Sequence, residues 1–162
     1  MVDCAVIFDV DGVLLELTRD EEEIFFQSLA KFVPTENLSR DWNSYAIRND
    51  ENIIEEILAR NHLPLTLAQR VMDYYITTLK ASKIKAVAIE GAESMLAALQ
   101  SKAQLGIATA NLFAAAKHRL QQVQLWSAVE KFAQGADGGG HKSEILDRAI
   151  KNLNLPPQRI VY

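Results

Sequence analysis

A short apolar segment near the N-terminus ends in two aspartates and a glycine, and it constrains the fold more than any other feature of the sequence. Residues 4–8 are nearly all apolar and rich in β-forming residues, a pattern typical of a strand buried on both faces in a parallel sheet. Asp9, Asp11 and Gly12 follow at once. The segment therefore predicts a first strand that ends in a turn carrying two carboxylates.

The rest of the chain divides into a helical block and a mixed block. Apolar residues recur three or four apart in residues 20–31, 52–60 and 67–79, which predicts helices. From residue 92 onward predicted helices (92–101, 113–123, 143–153) alternate with predicted strands (104–108, 131–134, 159–162). The sequence therefore predicts an α/β fold, in which a Rossmann-like parallel sheet core (residues 1–16 and 84–162) receives an inserted α-helical cap (17–83) after its first strand.

Charge and hydropathy exclude several classes of function. The net charge is -4 and the 17 lysines and arginines are scattered, so the sequence favours no nucleic-acid partner. No apolar run has the roughly 20 residues of a membrane span, and no secretory signal is recognisable. Because Cys4 has no second thiol to pair with, we expect it to be a small core residue in a reducing, cytoplasmic environment.

The two aspartates are placed for chemistry. In a parallel α/β sheet, ligands bind at the carboxyl ends of the strands, and side chains at positions i and i+2 of a strand share a face. Asp9 and Asp11 could thus act in one crevice, one as a nucleophile and the other as a proton donor and acceptor. Together they would also offer hard oxygen ligands to Mg²⁺. The alternative for an isolated Asp-x-Asp-Gly is a solvated turn.

Two further features fall at predicted strand and helix ends. Thr109, Ala110 and Asn111 follow an apolar strand, so the Thr109 hydroxyl and the next backbone N–H groups could hold an anionic oxygen. Taken alone, a Thr at such a position is more commonly a helix N-cap. Lys142 follows a glycine-rich loop at the start of a helix, where a cation would stabilise a phosphoryl transition state, or would be merely solvated.

Together these residues resemble the haloacid dehalogenase superfamily, in particular its phosphatase and phosphoglucomutase-like branch with a helical C1-type cap. The resemblance implies that Asp9 is the nucleophile that forms an aspartyl-phosphate and that Asp11 is the general acid and base. It further implies that Thr109 binds the phosphoryl oxygens together with the nearby backbone amides, and that Lys142 pairs with Asp9 and the phosphate. Mg²⁺ would bind the Asp9 carboxylate and the backbone carbonyl of Asp11.

The resemblance leaves the reaction open. The family carries an acidic pair after its fourth strand, and because residues 159–162 look like that strand, we expect the natural chain to continue beyond Tyr162. Hydrolysis of a small phosphorylated metabolite is the favoured function. A sugar-phosphate mutase of the same fold and a catalytically weak binding or regulatory domain are the alternatives.

The predicted cap contains one candidate for substrate recognition. Arg48 could hold a second anionic group of the substrate, although an exposed arginine is more often simply solvated. Trp42 and Tyr45 are expected to pack into the core, since aromatic residues at this spacing usually do. The acidic residues 20–23 are interpreted as complementing a helix dipole, and Arg119 as part of a polar helix face.

Overall fold

Four parallel strands form the sheet of the computed structural model, which describes residues 3–162. The strands are β1 (Ala5–Phe8), β2 (Gln104–Ala108), β3 (Phe132–Gln134) and β4 (Ile160–Val161), and their order in the sheet is β3-β2-β1-β4. Central strand β1 pairs with β2 and β4, and Ala5 lies opposite both Gln104 and Ile160. The predicted fold class, a Rossmann-like parallel sheet with inserted helices, is confirmed.

Seven α-helices accompany the sheet within the described residues. They are α1 (Arg19–Leu29), α2 (Asp50–Arg60), α3 (Ala68–Ala81), α4 (Ala92–Leu99), α5 (Phe113–Gln122), α6 (Trp126–Val129) and α7 (Lys142–Lys151). Every predicted helix is present with its ends shifted by a few residues, and α6 is a short helix that the sequence did not predict. No helix between residues 3 and 162 is long and apolar enough to cross a membrane.

Helices α1, α2 and α3 come between β1 and β2, and we call the segment 17–83 the helical insertion. Its apolar faces pack against one another in a core that includes Phe25, Phe26, Ile54, Leu58 and Val71, together with Leu112 and Ala115 at the start of α5. A separate core lies between the sheet and helices α4–α6. The division of the chain into a sheet core and a cap domain remains a prediction, and these packing clusters are consistent with it.

The start of α1 shows how the sequence fixes an insertion boundary. Thr18 is extended, its hydroxyl accepts a hydrogen bond from the Glu21 N–H at 3.3 Å, and the Glu21 carboxylate accepts one from the Thr18 N–H at 3.3 Å. In this capping box the side chain of each residue accepts a hydrogen bond from the backbone N–H of the other, at the first turn of the helix. The capping box therefore fixes the start of α1, in the segment that follows Asp9 and Asp11.

Cys4 does not occupy the core position that the sequence predicted. Strand β1 begins only at Ala5, and Cys4 is exposed, with its thiol donating to the Lys102 carbonyl oxygen at 3.4 Å. The apolar segment thus extends one residue beyond the buried part of the strand, because burial depends on pairing and packing as well as on hydropathy.

Candidate active site

A cavity of about 390 Å³ lies between the carboxyl ends of the central strands and the helical insertion. The sheet side of the cavity wall carries Asp9 and Asp11 after β1, Ala110 and Asn111 after β2, and Lys142 at the start of α7. Residues far apart in the sequence therefore meet at one edge of the sheet, where parallel α/β folds bind ligands.

Asp9 and Lys142 form a direct ion pair. The Lys142 Nζ lies 2.8 Å from Asp9 Oδ1, which also accepts the Val10 N–H at 2.7 Å. No residue between 3 and 162 donates a hydrogen bond to the second Asp9 oxygen. The Asp9 side chain is 35% exposed, so this free oxygen remains accessible from the cavity. One carboxylate oxygen is thus held in place while the other is available to react or to bind a cation.

Asp11 is held by a buried network that the sequence did not predict. Asn111 Nδ2 donates to Asp11 Oδ2 at 2.9 Å, and Arg119 Nη1 lies 2.8 Å from Asp11 Oδ1. The same guanidinium donates to Glu21 through Nε at 2.8 Å and Nη2 at 3.1 Å, a bidentate pair. Its Nη1–H points to Asn111 Oδ1 at 2.7 Å. Asp11 Oδ1 therefore has a neighbouring charge but no hydrogen-bond donor within the described chain.

Arg119 is 4% exposed, so the sequence interpretation of this residue as part of a polar helix face is wrong. Burial alone would lower the pKa of Arg119, but the charge of Asp11 and the hydrogen bonds and charge of Glu21 outweigh it and raise that pKa. Glu21 is also buried, and its carboxylate binds Arg119 and Thr18, so its role is more than complementing the helix dipole. The guanidinium thus remains charged and fixes the orientation of Asp11.

The turn after β2 brings backbone groups rather than the Thr109 hydroxyl to the cavity. Thr109 is fully buried behind the wall, and its hydroxyl accepts the Asn111 N–H at 3.2 Å. The Asn111 side chain belongs to the Asp11 network, as described above. The Ala110 N–H makes no hydrogen bond to any residue that the structure describes. Of the three residues predicted to bind substrate here, Ala110 offers the free backbone donor, while the roles of all three remain predictions.

The first turn of α2 holds both active-site loops. The Asp50 N–H donates to the Ala110 carbonyl at 2.9 Å, and Asp50 Oδ2 accepts the Leu112 N–H at 2.9 Å. Glu51 Oε2 accepts the N–H groups of Gly138 at 2.6 Å and Gly139 at 3.2 Å. The glycine-rich loop that precedes Lys142 is therefore fixed by the helical insertion.

Asn49 and Asn52 continue this contact. Asn49 Nδ2 donates to the Gly140 carbonyl at 2.7 Å, and the Gly140 N–H donates to Asn52 Oδ1 at 2.8 Å. Gly140 has a φ of +95°, a left-handed conformation that favours glycine, and a Cβ there would lie 2.7 Å from the Glu144 carboxylate. The loop can follow this path only because it is built of glycine.

Comparison with protein families decides the relationship of the chain. Residues 6–162 match the family model described as haloacid dehalogenase-like hydrolase. The chain belongs to the haloacid dehalogenase-like hydrolases. The resemblance inferred from Asp9, Asp11, Thr109 and Lys142 is therefore confirmed at the level of the family. No curated protein sequence matches the chain at a significant level.

Several solved structures share the fold of this chain. CbbY from Rhodobacter sphaeroides, solved in complex with phosphate, is 17% identical and aligns over 99% of this chain and 76% of its own, with a TM-score of 0.64. A predicted phosphatase from Clostridium acetobutylicum is 20% identical over 99% of this chain and 74% of its own, with a TM-score of 0.65. β-Phosphoglucomutase from Clostridium difficile is 19% identical over 98% of this chain and 74% of its own, with a TM-score of 0.71.

The insertion side of the cavity differs from what the sequence of this haloacid dehalogenase-like chain indicated. Arg48 lies at the cavity wall as predicted for a substrate-binding residue, but it is exposed and its Nη1 donates to Asn43 Oδ1 at 3.0 Å. Trp42 also lines the cavity, with Nε1 donating to Glu22 Oε1 at 2.8 Å, although it was expected to pack only into the core. Tyr45 is buried, as the spacing predicted.

The donor set at Asp9 fits a magnesium ion that keeps much of its water. Mg²⁺ in proteins is commonly bound by one or two carboxylates together with water and substrate phosphate rather than by a full protein cage. The free Asp9 oxygen is such a ligand, and no described residue donates a backbone hydrogen bond to the Asp11 carbonyl. Within residues 3–162, no group of three or more His, Cys, Asp or Glu side chains forms a metal cage.

Proposed function

We propose that this haloacid dehalogenase-like hydrolase is a phosphatase that cleaves a small phosphate monoester through an aspartyl-phosphate on Asp9, with Mg²⁺ as its cofactor. The observation that carries the proposal is the ion pair between Asp9 Oδ1 and Lys142 Nζ at 2.8 Å, in the same cavity as Asp11. The cation shields the charge of the nucleophile and would offset the charge that builds up on the phosphoryl oxygens.

The proposed reaction has two steps. A carboxylate oxygen of Asp9 attacks phosphorus, the bond between phosphorus and the ester oxygen breaks, and Asp11 gives its proton to the departing alkoxide. Water then attacks the aspartyl-phosphate and loses a proton to Asp11, which restores the Asp9 carboxylate and releases inorganic phosphate. Bound Mg²⁺ would supply electrostatic stabilisation of the phosphoryl oxygens and reduce repulsion between the substrate and Asp9.

The surroundings of Asp11 support its role in proton transfer. Asp11 lines the same cavity as Asp9 with its side chain 23% exposed, and Asn111 and Arg119 hold its carboxylate in one orientation. An oriented and accessible carboxylate beside the nucleophile is what a proton acceptor for the attacking water requires. The Ala110 N–H and Lys142 are the groups that we assign to the phosphoryl oxygens.

The experiment is Mg²⁺-dependent release of phosphate from p-nitrophenyl phosphate by the wild-type chain and by Asp9→Asn. We expect activity in the wild type that requires Mg²⁺ and that falls to the background in Asp9→Asn. Lys151→Met, at the far end of α7, is the matched surface control. Activity that survives in Asp9→Asn would sink the mechanism. A radiolabelled phosphoenzyme that passes its phosphate to a sugar hydroxyl instead of water would identify a mutase.

A further inference from the structure

The two walls of the cavity have different chemistry. The sheet wall is polar and carries the phosphate-binding groups assigned above. The wall from the helical insertion presents the aromatic rings of Phe25, Trp42 and Tyr75. The Phe25 ring centroid lies 5.7 Å from that of Trp42 and 5.2 Å from that of Tyr75, so the three rings form one continuous surface. The phosphate end and the leaving-group end of a bound ester would therefore meet unlike surroundings.

Two polar side-chain atoms at this aromatic surface, one oxygen of Asp50 and the Tyr75 hydroxyl, have no hydrogen-bond partner among the described residues. Asp50 and Tyr75 line the cavity and are each 7% exposed. One oxygen of Asp50 accepts the Leu112 N–H, and the other accepts no hydrogen bond from residues 3–162. The Tyr75 hydroxyl likewise makes no hydrogen bond to a described residue. Neither atom is among the fully buried unpaired atoms of the described chain, so both are open to the cavity, where a ligand or water can bind them.

The charge of the cavity wall indicates which ligand suits them. Five carboxylates and three cations line it: Asp9, Asp11, Glu21, Glu22 and Asp50 against Arg48, Arg119 and Lys142. A phosphate ester brings nearly two further negative charges, which a divalent cation would only balance. A second anionic group on the substrate would then meet an excess of negative charge. A positive group would be attracted.

Asp50 is the carboxylate with most to gain from a cation. Burial raises the pKa of Asp50 to about 7, and the Leu112 hydrogen bond and the charge of Arg119 only partly offset that effect. A bound ammonium group would stabilise the ionised form of Asp50, and the rings of Phe25, Trp42 and Tyr75 would add cation–π attraction. A neutral hydroxyl could satisfy the hydrogen bonds but would not compensate the charge.

We propose that the cavity selects phosphate monoesters of short amino alcohols, with the substrate ammonium group held by Asp50 and the rings of Phe25, Trp42 and Tyr75. The proposal rests on the proposed function, because that function places the phosphate at Asp9 and Lys142. Asp50 is hydrogen-bonded to Ala110 and Leu112, in the same turn that we assign to the phosphate end. The ammonium and phosphate groups of the substrate would therefore lie close together, so the leaving group is short.

The test compares binding of 2-aminoethyl phosphate with that of n-propyl phosphate, in which a methyl group replaces the ammonium. Calorimetry in the Asp9→Asn background with Mg²⁺ measures binding without turnover. We expect the amino ester to bind at least tenfold more tightly, and Asp50→Asn to reduce that ratio to about one while changing the affinity for n-propyl phosphate less than threefold. Asp147→Asn, an exposed surface change, should keep the full ratio.

Three further measurements keep the outcome decisive. Trp42→Leu should reduce the same ratio without touching Asp50, which covers the case in which Asp50→Asn does not fold. Equal binding of the two esters, tighter binding of 2-hydroxyethyl phosphate than of the amino ester, or a ratio unchanged in Asp50→Asn would overturn the selectivity. Phosphate release by the wild type is measured separately. Selective binding without release overturns only the hydrolysis, and release without selectivity overturns only the amino-alcohol proposal.

Discussion

Arg119 binds Glu21 in a bidentate ion pair, with Nε to Oε1 at 2.8 Å and Nη2 to Oε2 at 3.1 Å, although one residue lies on α5 and the other on α1. Both side chains are 5% exposed. The pair connects the helical insertion to the sheet core beneath the cavity, and its cation also contacts Asp11. Stability and the geometry of the candidate active site therefore depend on the same guanidinium.

Replacing Arg119 should be costly for stability. Arg119→Met leaves the buried carboxylate of Glu21 and the partly exposed carboxylate of Asp11 without a counter-ion, and breaking a buried pair such as Arg119–Glu21 costs about 3–5 kcal/mol. Urea unfolding measures the change in the free energy of unfolding. Arg40→Met is the matched control, because the solvent-exposed Arg40–Glu23 pair should contribute little to stability. Similar losses in the two variants would contradict the assignment.

Asp50 should make stability depend on pH. Its folded-state pKa of about 7 lies above the ordinary value of 3.8. Between these two pH values the folded chain holds a proton on Asp50 that the unfolded chain has released. The stabilisation from that proton is complete below about pH 4 and is lost as pH rises through 7, by at most about 4 kcal/mol. The charges facing Asp50 come from Asp11, Asp137 and Arg119.

Asp50→Asn should remove this part of the pH dependence. Thermal unfolding of the variant and the wild type between pH 4 and 8 gives the difference directly. Asp147→Asn, at an exposed position, should follow the wild-type curve. If the difference in unfolding temperature between the wild type and Asp50→Asn stayed constant from pH 4 to 8, Asp50 would be ionised throughout that range, which would contradict the prediction.

Lys142 should matter for activity more than for folding. Lys142→Met removes the cation from Asp9 and from the phosphoryl oxygens, and the loss of one such electrostatic group lowers kcat by about 10²–10³-fold. Its side chain is 33% exposed, so stability should change little. Phosphate release from p-nitrophenyl phosphate measures the effect, and Lys151→Met on the same helix should retain full activity.

Gly106 is a packing requirement in the middle of β2. A Cβ there would overlap the Phe132 carbonyl oxygen of β3 and lie 2.7 Å from Phe132 Cβ. Gly106→Ala should destabilise the sheet by about 1–3 kcal/mol, the usual cost of overpacking. Urea unfolding measures it. Gly91→Ala is a useful comparison, since a Cβ at Gly91 meets no atom within 4 Å but its φ of +84° is strained for alanine.

Glu51 should control the mobility of the glycine-rich loop. Its carboxylate accepts the N–H groups of Gly138 and Gly139, so Glu51→Gln weakens two charge-assisted hydrogen bonds, each worth about 1.5–3 kcal/mol. Hydrogen exchange at these two amides should become faster. Glu93→Gln, in the first turn of α4, should leave it unchanged. Unaltered exchange in Glu51→Gln would show that the loop is held by other contacts.

Local patterns in the sequence predicted most of the architecture. Apolar runs and helical spacing located the four strands and six of the helices, because these patterns follow directly from burial on one or two faces. The short helix Trp126–Val129 was missed, since four residues carry too little periodicity. At the site, turn chemistry after β1 and β2 indicated Asp9, Asp11, Ala110 and Asn111, and the structure brings them to one cavity with Lys142.

The buried ion pair was missed for a different reason. Charged side chains are taken as exposed by default, and Arg119 follows Lys117 and His118. Yet Ala115, Ala116 and Leu120 surround Arg119 on the buried face of α5. Spacing alone could have located Arg119 in that face. Its partner Glu21 depends on a contact between two helices that are distant in the sequence, which no local pattern specifies.

The pairing of β1 has a consequence for how the chain folds. Ala5 must meet Gln104 and Ile160 across the whole insertion, whereas α3 contacts α1 and α2 over shorter sequence distances. The two tryptophans divide between these regions, with Trp42 in the insertion and Trp126 in the sheet core. During refolding, fluorescence from Trp42 should reach its native value before that of Trp126, so each indole reports on a separate stage of assembly.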